Sequence, residues 1–204
     1  MITKIELVPR KELHSDYEEH RAINLKIFSD FKASLQEFDP KVKLSIMTLM
    51  NEEILHASDY GDVPYGSTTL GKSGCAVFCL EQGLRMKGFN VNIADLAEEV
   101  YKKGYYESGK GTYHNLFDEY KNGFCTRCSS YKEVFKALEE KHILTILVEN
   151  KKYYKNDSKT GRHFVNIVGK MKDYLIIDDS STYNHTIKLS KDVFDATEVA
   201  WRWN

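Results

Sequence analysis

Apolar residues recur every four positions near the start of the chain. Ile23, Ile27, Phe31 and Leu35 form one stripe, which Phe28 and Phe38 widen, and that spacing predicts an amphipathic helix. Asp39-Pro40 supplies an N-cap followed by proline at a first helical position. Val42, Ile46, Leu49, Met50 and Ile54 then carry a second helical face to about His56. Residues 1–56 therefore read as a helical hairpin that packs its apolar stripe on the rest of the chain. Asp59–Gly74 is rich in glycine and hydroxyl residues and reads as a structured loop. A helix is predicted from about Cys75 to Lys87, stopped by Gly88. Asn92 caps a further helix that ends at Gly104, and Thr112 starts a short third one. Ser130 and Glu133 have the spacing of a capping box for a fourth, through Glu140.

Beyond residue 141 the periodicity changes. His142–Val148, His163–Gly169, Tyr174–Ile177, Thr186–Leu189 and Val199–Trp203 are short runs rich in β-branched and aromatic residues, bounded by polar turns. Helices first and strands afterwards predict an α+β domain over 57–204 built on an antiparallel sheet.

At 204 residues the chain is long enough for one domain with an extension and for a core that needs neither disulfides nor metal. Lys and Arg total 29 against 30 for Asp and Glu, so the chain lacks the basic excess of a nucleic-acid binder. No apolar run approaches the ~18 residues of a membrane span, and the first residues lack the apolar core of a signal peptide. A cytoplasmic location is the expectation. No cofactor-binding motif is apparent, and oligomeric state is not readable.

Chemistry is concentrated in a few residues. The four cysteines are Cys75, Cys79, Cys125 and Cys128. Cys75 stands in Ser73-Gly74-Cys75-Ala76, where a loop enters a helix. A thiol there meets the positive end of the helix dipole and unpaired N–H groups, which lower its pKa and can stabilise an oxyanion. A nucleophilic thiol needs a histidine to take its proton. Of seven histidines, His163 is distinguished by opening the strand His163-Phe164-Val165-Asn166-Ile167-Val168 directly after Gly161-Arg162. A short turn joins that strand to Tyr174–Asp178 and sets Val165 opposite Asp178. Asp178 then shares a face with His163, while Asp179 points the other way. A bulge would exchange the two aspartates. A rival reading uses all four thiols as a structural zinc site, since Cys125 and Cys128 form Cys-x-x-Cys. The basic segment 150–162, carrying Lys151, Lys152, Lys155, Lys159 and Arg162, is either a solvated surface or the rim of a cleft favouring acidic groups.

Pro64-Tyr65-Gly66 through Lys72-Ser73-Gly74-Cys75, then Lys103-Gly104-Tyr105-Tyr106, Gly109-Lys110-Gly111-Thr112, Gly161-Arg162-His163-Phe164-Val165 and Ile176-Ile177-Asp178 follow one another in an order that resembles a known family. It is that of bacterial cysteine peptidases related to bacteriocin-processing, double-glycine leader peptidases. The resemblance covers roughly residues 60–195. It implies a papain-like fold, with the nucleophile helix packed on the antiparallel sheet, and a peptide or protein substrate attacked through an acyl-thioester. Carried over position by position, Cys75 is the nucleophile, His163 the general base and Asp178 the residue that orients the base. Two departures stand out. Ala76-Val77-Phe78 replaces the family's glycine, proline and hydroxyl residue after the cysteine. The glutamine that supplies a side-chain oxyanion donor has no counterpart between Asp59 and Cys75, and Gln82 lies about two turns down the helix. An inactive, peptide-binding relative is the alternative these departures leave open.

Overall fold

The fold is that of a computed structural model, which describes residues 54–119, 124–182 and 185–204. Apart from Ile54–His56, the hairpin expected over 1–56 lies outside the described residues. A single turn of 3-10 helix at Ala57–Tyr60 is followed by a small hairpin, β1 (Pro64–Tyr65) and β2 (Thr68–Thr69). A one-turn helix α1 (Leu70–Ser73) then abuts α2 (Cys75–Met86), and α3 spans Ile93–Lys102. A second small hairpin, β3 (Tyr106–Glu107) and β4 (Gly111–Thr112), precedes α4 (Leu116–Glu119) and β5 (Cys125–Arg127). The rest runs α5 (Tyr131–Glu139), β6 (Leu144–Glu149), α6 (Asn150–Tyr154), β7 (Arg162–Met171), β8 (Tyr174–Asp178), β9 (Thr186–Leu189), α7 (Ser190–Ala196) and β10 (Thr197–Trp203).

Six of these strands form one antiparallel sheet in the order β5-β10-β6-β7-β8-β9. Its central strands are covered on both faces, so β6 reads Leu-Thr-Ile-Leu-Val with no outward polar position, and five of its six residues are buried. Alternate residues serve two cores. Phe164, Leu147, Trp201 and Trp203 pack with α2 and α3 on one side. Val165, Ile167, Ile146, Leu144 and Ala200 pack with α5 and α7 on the other. The α+β architecture is thus the one the change of periodicity predicts.

The local signals explain most of the helix ends. Asn92 Oδ1 accepts hydrogen bonds from the N–H groups of Ala94 and Asp95, at 2.9 and 3.2 Å. Ser130 Oγ accepts from Glu133 N–H at 3.4 Å, and the Glu133 carboxylate accepts from Ser129 N–H and Oγ–H at 2.7 and 2.9 Å. The helix expected from Thr112 is only the single turn of α4. Segment 150–162, read as a loop, begins with α6. The sequence reading also missed α7 and the short edge strand β5.

Candidate active site

Gly74 separates α1 from α2 and caps α2, with its own N–H donating to Leu70 carbonyl oxygen at 2.8 Å. A Cβ at this position would overlap both the side chain and the carbonyl of Leu70, so the tight junction requires glycine. The junction sets Cys75 at the first position of a twelve-residue helix, where backbone N–H groups have no intrahelical partner.

His163 stands at the start of β7, which packs directly on α2. The His163 ring and the N–H groups of Ala76 and Phe164 lie close enough to the Cys75 thiol to act on its ionisation. Burial pushes the thiol pKa up, but the hydrogen bond and charge of His163, joined by the two N–H groups, outweigh it and bring the value below the ordinary thiol range. On its other side His163 Nε2 lies 2.7 Å from Asp179 Oδ1. Burial alone would lower the His163 pKa. The charge and hydrogen bond of Asp179, with Cys75 adding to them, raise it instead to about 10.

Asp179, not Asp178, is the carboxylate at the histidine, which corrects the expectation from the sequence. The turn between β7 and β8 is the two residues Lys172 and Asp173, so Met171 pairs with Tyr174, two places along from the expected register. That shift alone would keep the same faces together. A bulge between Ile167 and Gly169 then displaces the register by one residue, so Asp178 lies opposite Asn166. One residue of slip moves every following side chain to the other face. Asp179 consequently joins the His163 face, and Asp178 is turned toward the α2 side.

Asp179 is held on all sides. Oδ1 also accepts from Ser181 N–H at 2.9 Å and Ser181 Oγ–H at 2.7 Å. Oδ2 accepts from the hydroxyls of Tyr153 and Tyr154, both on α6, at 3.2 and 3.4 Å. Burial works against ionisation here, yet His163 and the Ser181 donors hold the carboxyl well below the usual carboxylate range. Both tyrosines stay protonated, because burial and the Asp179 charge push their pKa values far up, so they remain donors. Neither tyrosine was singled out in the sequence. Their signal was only an aromatic pair in a polar segment.

The other three thiols lie elsewhere. Cys79 is buried one turn along α2, and burial raises its pKa well above the ordinary value. Cys125 packs with the α2-side core and Cys128 with the opposite core, so the sheet separates them. Four thiolates cannot meet at one ion, and the zinc-module reading is set aside on that geometry. Among the described residues no group of three or more His, Cys, Asp and Glu converges as a metal site. The cations of 150–162 are engaged locally. Lys151 pairs with Asp157, Lys152 with Glu149, Lys155 with Asp192 and Arg162 with Glu198, at 2.6 to 3.0 Å. This argues for the solvated-surface reading of the segment.

Among the described residues, Ser67, Thr69 and Gln82 do not supply the side-chain half of an oxyanion hole. Ser67 Oγ is bonded to Ser108 Oγ at 2.7 Å and Tyr106 hydroxyl at 3.3 Å. The Thr69 hydroxyl is buried rather than presented to an opening. Gln82 donates to Met86 Sδ, further down the helix. The donors evident at the nucleophile are those of the backbone at the start of α2.

This arrangement of helix, sheet, thiol and imidazole is that of a papain-like fold. The sequence profile of the Peptidase_C39 like family matches residues 60–204, and the chain belongs to that family. Among solved structures, the chain is similar to a protein from Bacillus anthracis assigned as a C39-like peptidase. The TM-score is 0.51 at 16% identity, covering 76% of this chain and 98% of the other. No curated protein matches the chain. Family membership supports a cysteine peptidase. Among the described residues no helix is long and apolar enough to cross a membrane.

Proposed function

We propose that residues 57–204 form a thiol hydrolase of peptide-like substrates, with Cys75 as nucleophile, His163 as general base and acid, and Asp179 as the group that orients and charges the histidine. The observation that carries this reading is the His163 ring bridging the Cys75 thiol and the buried Asp179 carboxylate. A thiol with a lowered pKa beside an imidazole with a raised one favours the thiolate–imidazolium pair over thiol and neutral imidazole. The thiolate attacks the substrate carbonyl carbon, and the carbonyl electrons move to oxygen beside the N–H groups at the start of α2. As the carbonyl re-forms, the C–N bond breaks and the amine leaves with the proton from His163. His163 then takes a proton from water as the water attacks the thioester, and the acid is released with Cys75 as thiolate again. Asp179 holds the ring in position and stabilises its charge without itself taking the proton. The resemblance to leader peptidases makes double-glycine leader peptides the first substrates to try.

The test is alkylation by iodoacetamide near pH 6, with the modified residue mapped by mass spectrometry. Cys75 should react first and by a wide margin. Burial raises Cys79, Cys125 and Cys128, Cys125 to about 12. An electrophilic peptide should label the same residue, and Cys75→Ala should abolish both labelling and hydrolysis. Equal, slow labelling of all four thiols would remove the proposal.

A further inference from the structure

Asn166 is a polar residue inside an otherwise apolar strand segment, Phe-Val-Asn-Ile-Val, and it is fully buried. A buried amide persists only where its hydrogen bonds are made. Here they form a chain that crosses the sheet and ends on the nucleophile helix. Trp203 Nε1–H donates to Thr145 Oγ1 at 2.9 Å, and the Thr145 hydroxyl donates to Asn166 Oδ1 at 2.6 Å. Asn166 Nδ2 donates to the backbone carbonyl of Cys79 at 2.9 Å. The direction of the chain is fixed at its origin. An indole N–H can only donate, so the Thr145 oxygen accepts it and passes its own hydrogen to Oδ1. That leaves the amide N–H2 for α2. All three side chains are fully buried, so water does not compete for these bonds.

The chain meets α2 at two points. Cys79 lies one turn, about 6 Å, beyond Cys75 along the helix. One turn further, Gly83 rests on the Trp203 indole so closely that a Cβ would overlap the ring. On the other element, Asn166 lies three residues beyond His163 on the same strand. The bond from Asn166 to Cys79 therefore fixes how far α2 slides and tilts along β7, which is the motion that would part Cys75 from His163.

We propose that Asn166 is a positioning residue, which with Thr145 and Trp203 locks the nucleophile helix to the histidine strand so that Cys75 and His163 stay in hydrogen-bond register. The proposal rests on the reading of those two residues as nucleophile and base. The residues named do not touch the reacting atoms, and they act through the register alone.

The experiment compares the wild-type protein with Thr145→Val/Asn166→Leu, a pair of near-isosteric changes that leaves no hydroxyl hydrogen without an acceptor. Iodoacetamide alkylation of Cys75 is timed at about pH 5.5 and about pH 10.5, below and above the His163 titration at about 10, where thiolate formation does and does not depend on the imidazolium. The expected result is a fall of at least about tenfold in the ratio of the two rates, equal to one unit or more of thiol pKa, with the rate at the higher pH little changed. Leu138→Ala, a cavity in the opposite core, serves as the destabilised control and should lower Tm while leaving the ratio alone. A folded double variant with the wild-type ratio overturns the proposal. If the double variant does not fold, Trp203→Phe removes only the first donor of the chain. It should shift the ratio by about two- to fivefold in the same direction, as loss of one neutral hydrogen bond would, and no shift again overturns the proposal. Failure of the wild-type Cys75 to label selectively at the lower pH is a different outcome. It overturns the nucleophile assignment and with it this inference.

Discussion

Replacing Asp179 by asparagine isolates charge from geometry. If the amide oxygen takes the place of Oδ1, it still accepts from Ser181 and His163. The amide N–H2 then faces the Tyr153 and Tyr154 hydroxyls, which can rotate to accept. The shape survives and the negative charge is lost. That charge lies 2.7 Å from the imidazole, with the carboxylate side chain only 2% exposed, so solvent screens little of it. An opposite charge in contact moves a pKa by about 1–3 units, and burial puts this pair at the upper end. Three units correspond to ~4 kcal/mol.

That energy appears in the equilibrium between thiolate–imidazolium and thiol–imidazole. Both forms hold the same number of protons, so their ratio does not vary with pH between the two titrations. It falls by about 10 to 10³ when the imidazolium loses its partner. The assay is Cys75 alkylation across pH 5 to 9, where Asp179→Asn should lower the plateau at least tenfold. Asp178→Asn, on the opposite face, should alter it by less than about twofold, the size of a small long-range charge effect. If Asp178→Asn lowers the plateau and Asp179→Asn does not, the register across the Val168 bulge is wrong, and so is the assignment of the orienting carboxylate.

Three further outcomes are expected. His163 has a folded-state pKa raised to about 10, so its contribution to stability is complete below its unfolded value of ~6.5 and fades as pH climbs toward 10. Thermal melts of Cys75→Ala should show that alkaline decline, whereas the wild-type curve should be flatter, because the lowered thiol pKa contributes with the opposite sign below its unfolded value of ~8.5. Gly83→Ala should lower Tm by a few degrees, since overpacking of ~1–3 kcal/mol against the fully buried Trp203 ring exceeds the ~1 kcal/mol gained in helix propensity. Amide substrates should turn over about 10² to 10³ times more slowly in a steady-state assay than an oxyanion site with a second donor would allow, while matched activated esters are cleaved readily.

Cys75 and His163 were legible in the sequence because each sits where a local signal is strong. One follows a glycine at the entry to a helix, and the other opens an apolar strand. The strand pair β7–β8 was legible from its β-branched runs, and the caps at Asn92 and Ser130 from side-chain type alone. The choice between Asp178 and Asp179 was not, because it depends on one extra residue in β7, and nothing in Ile167-Val168-Gly169 marks a bulge except the glycine. Edge strand β5, Cys-Thr-Arg, is too short for alternation to register. The supports of Asp179 escaped because Tyr153 and Tyr154 belong to a five-residue helix inside a lysine-rich segment that reads as loop. Asn166 did carry a usable signal, an amide with two apolar residues on either side, which is costly unless it is bonded.

On the proposed reading, the site is provided unequally for the two halves of acyl transfer. On the proton side, one carboxylate receives bonds from a histidine, a serine and two tyrosines, and a buried chain of three side chains grips the helix behind the thiol. Generating the nucleophile therefore requires little reorganisation at the moment of reaction. On the oxygen side, the donors are backbone N–H groups at the head of α2, and among the described residues Ser67, Thr69 and Gln82 do not complete them. A missing donor of this kind is worth ~2.7–4 kcal/mol at the tetrahedral stage. Its effect is selective. An ester or thioester has a good leaving group and passes through that stage with a lower barrier, while an amide must linger there until its nitrogen is protonated. The same thiolate can thus be quick to label and slow to cleave peptides. Raising the nucleophile's reactivity further would not repair this, because the deficit lies in the charge on the substrate oxygen. Only a donor aimed at that oxygen, from a substituted side chain or from the substrate itself, lowers the barrier that remains.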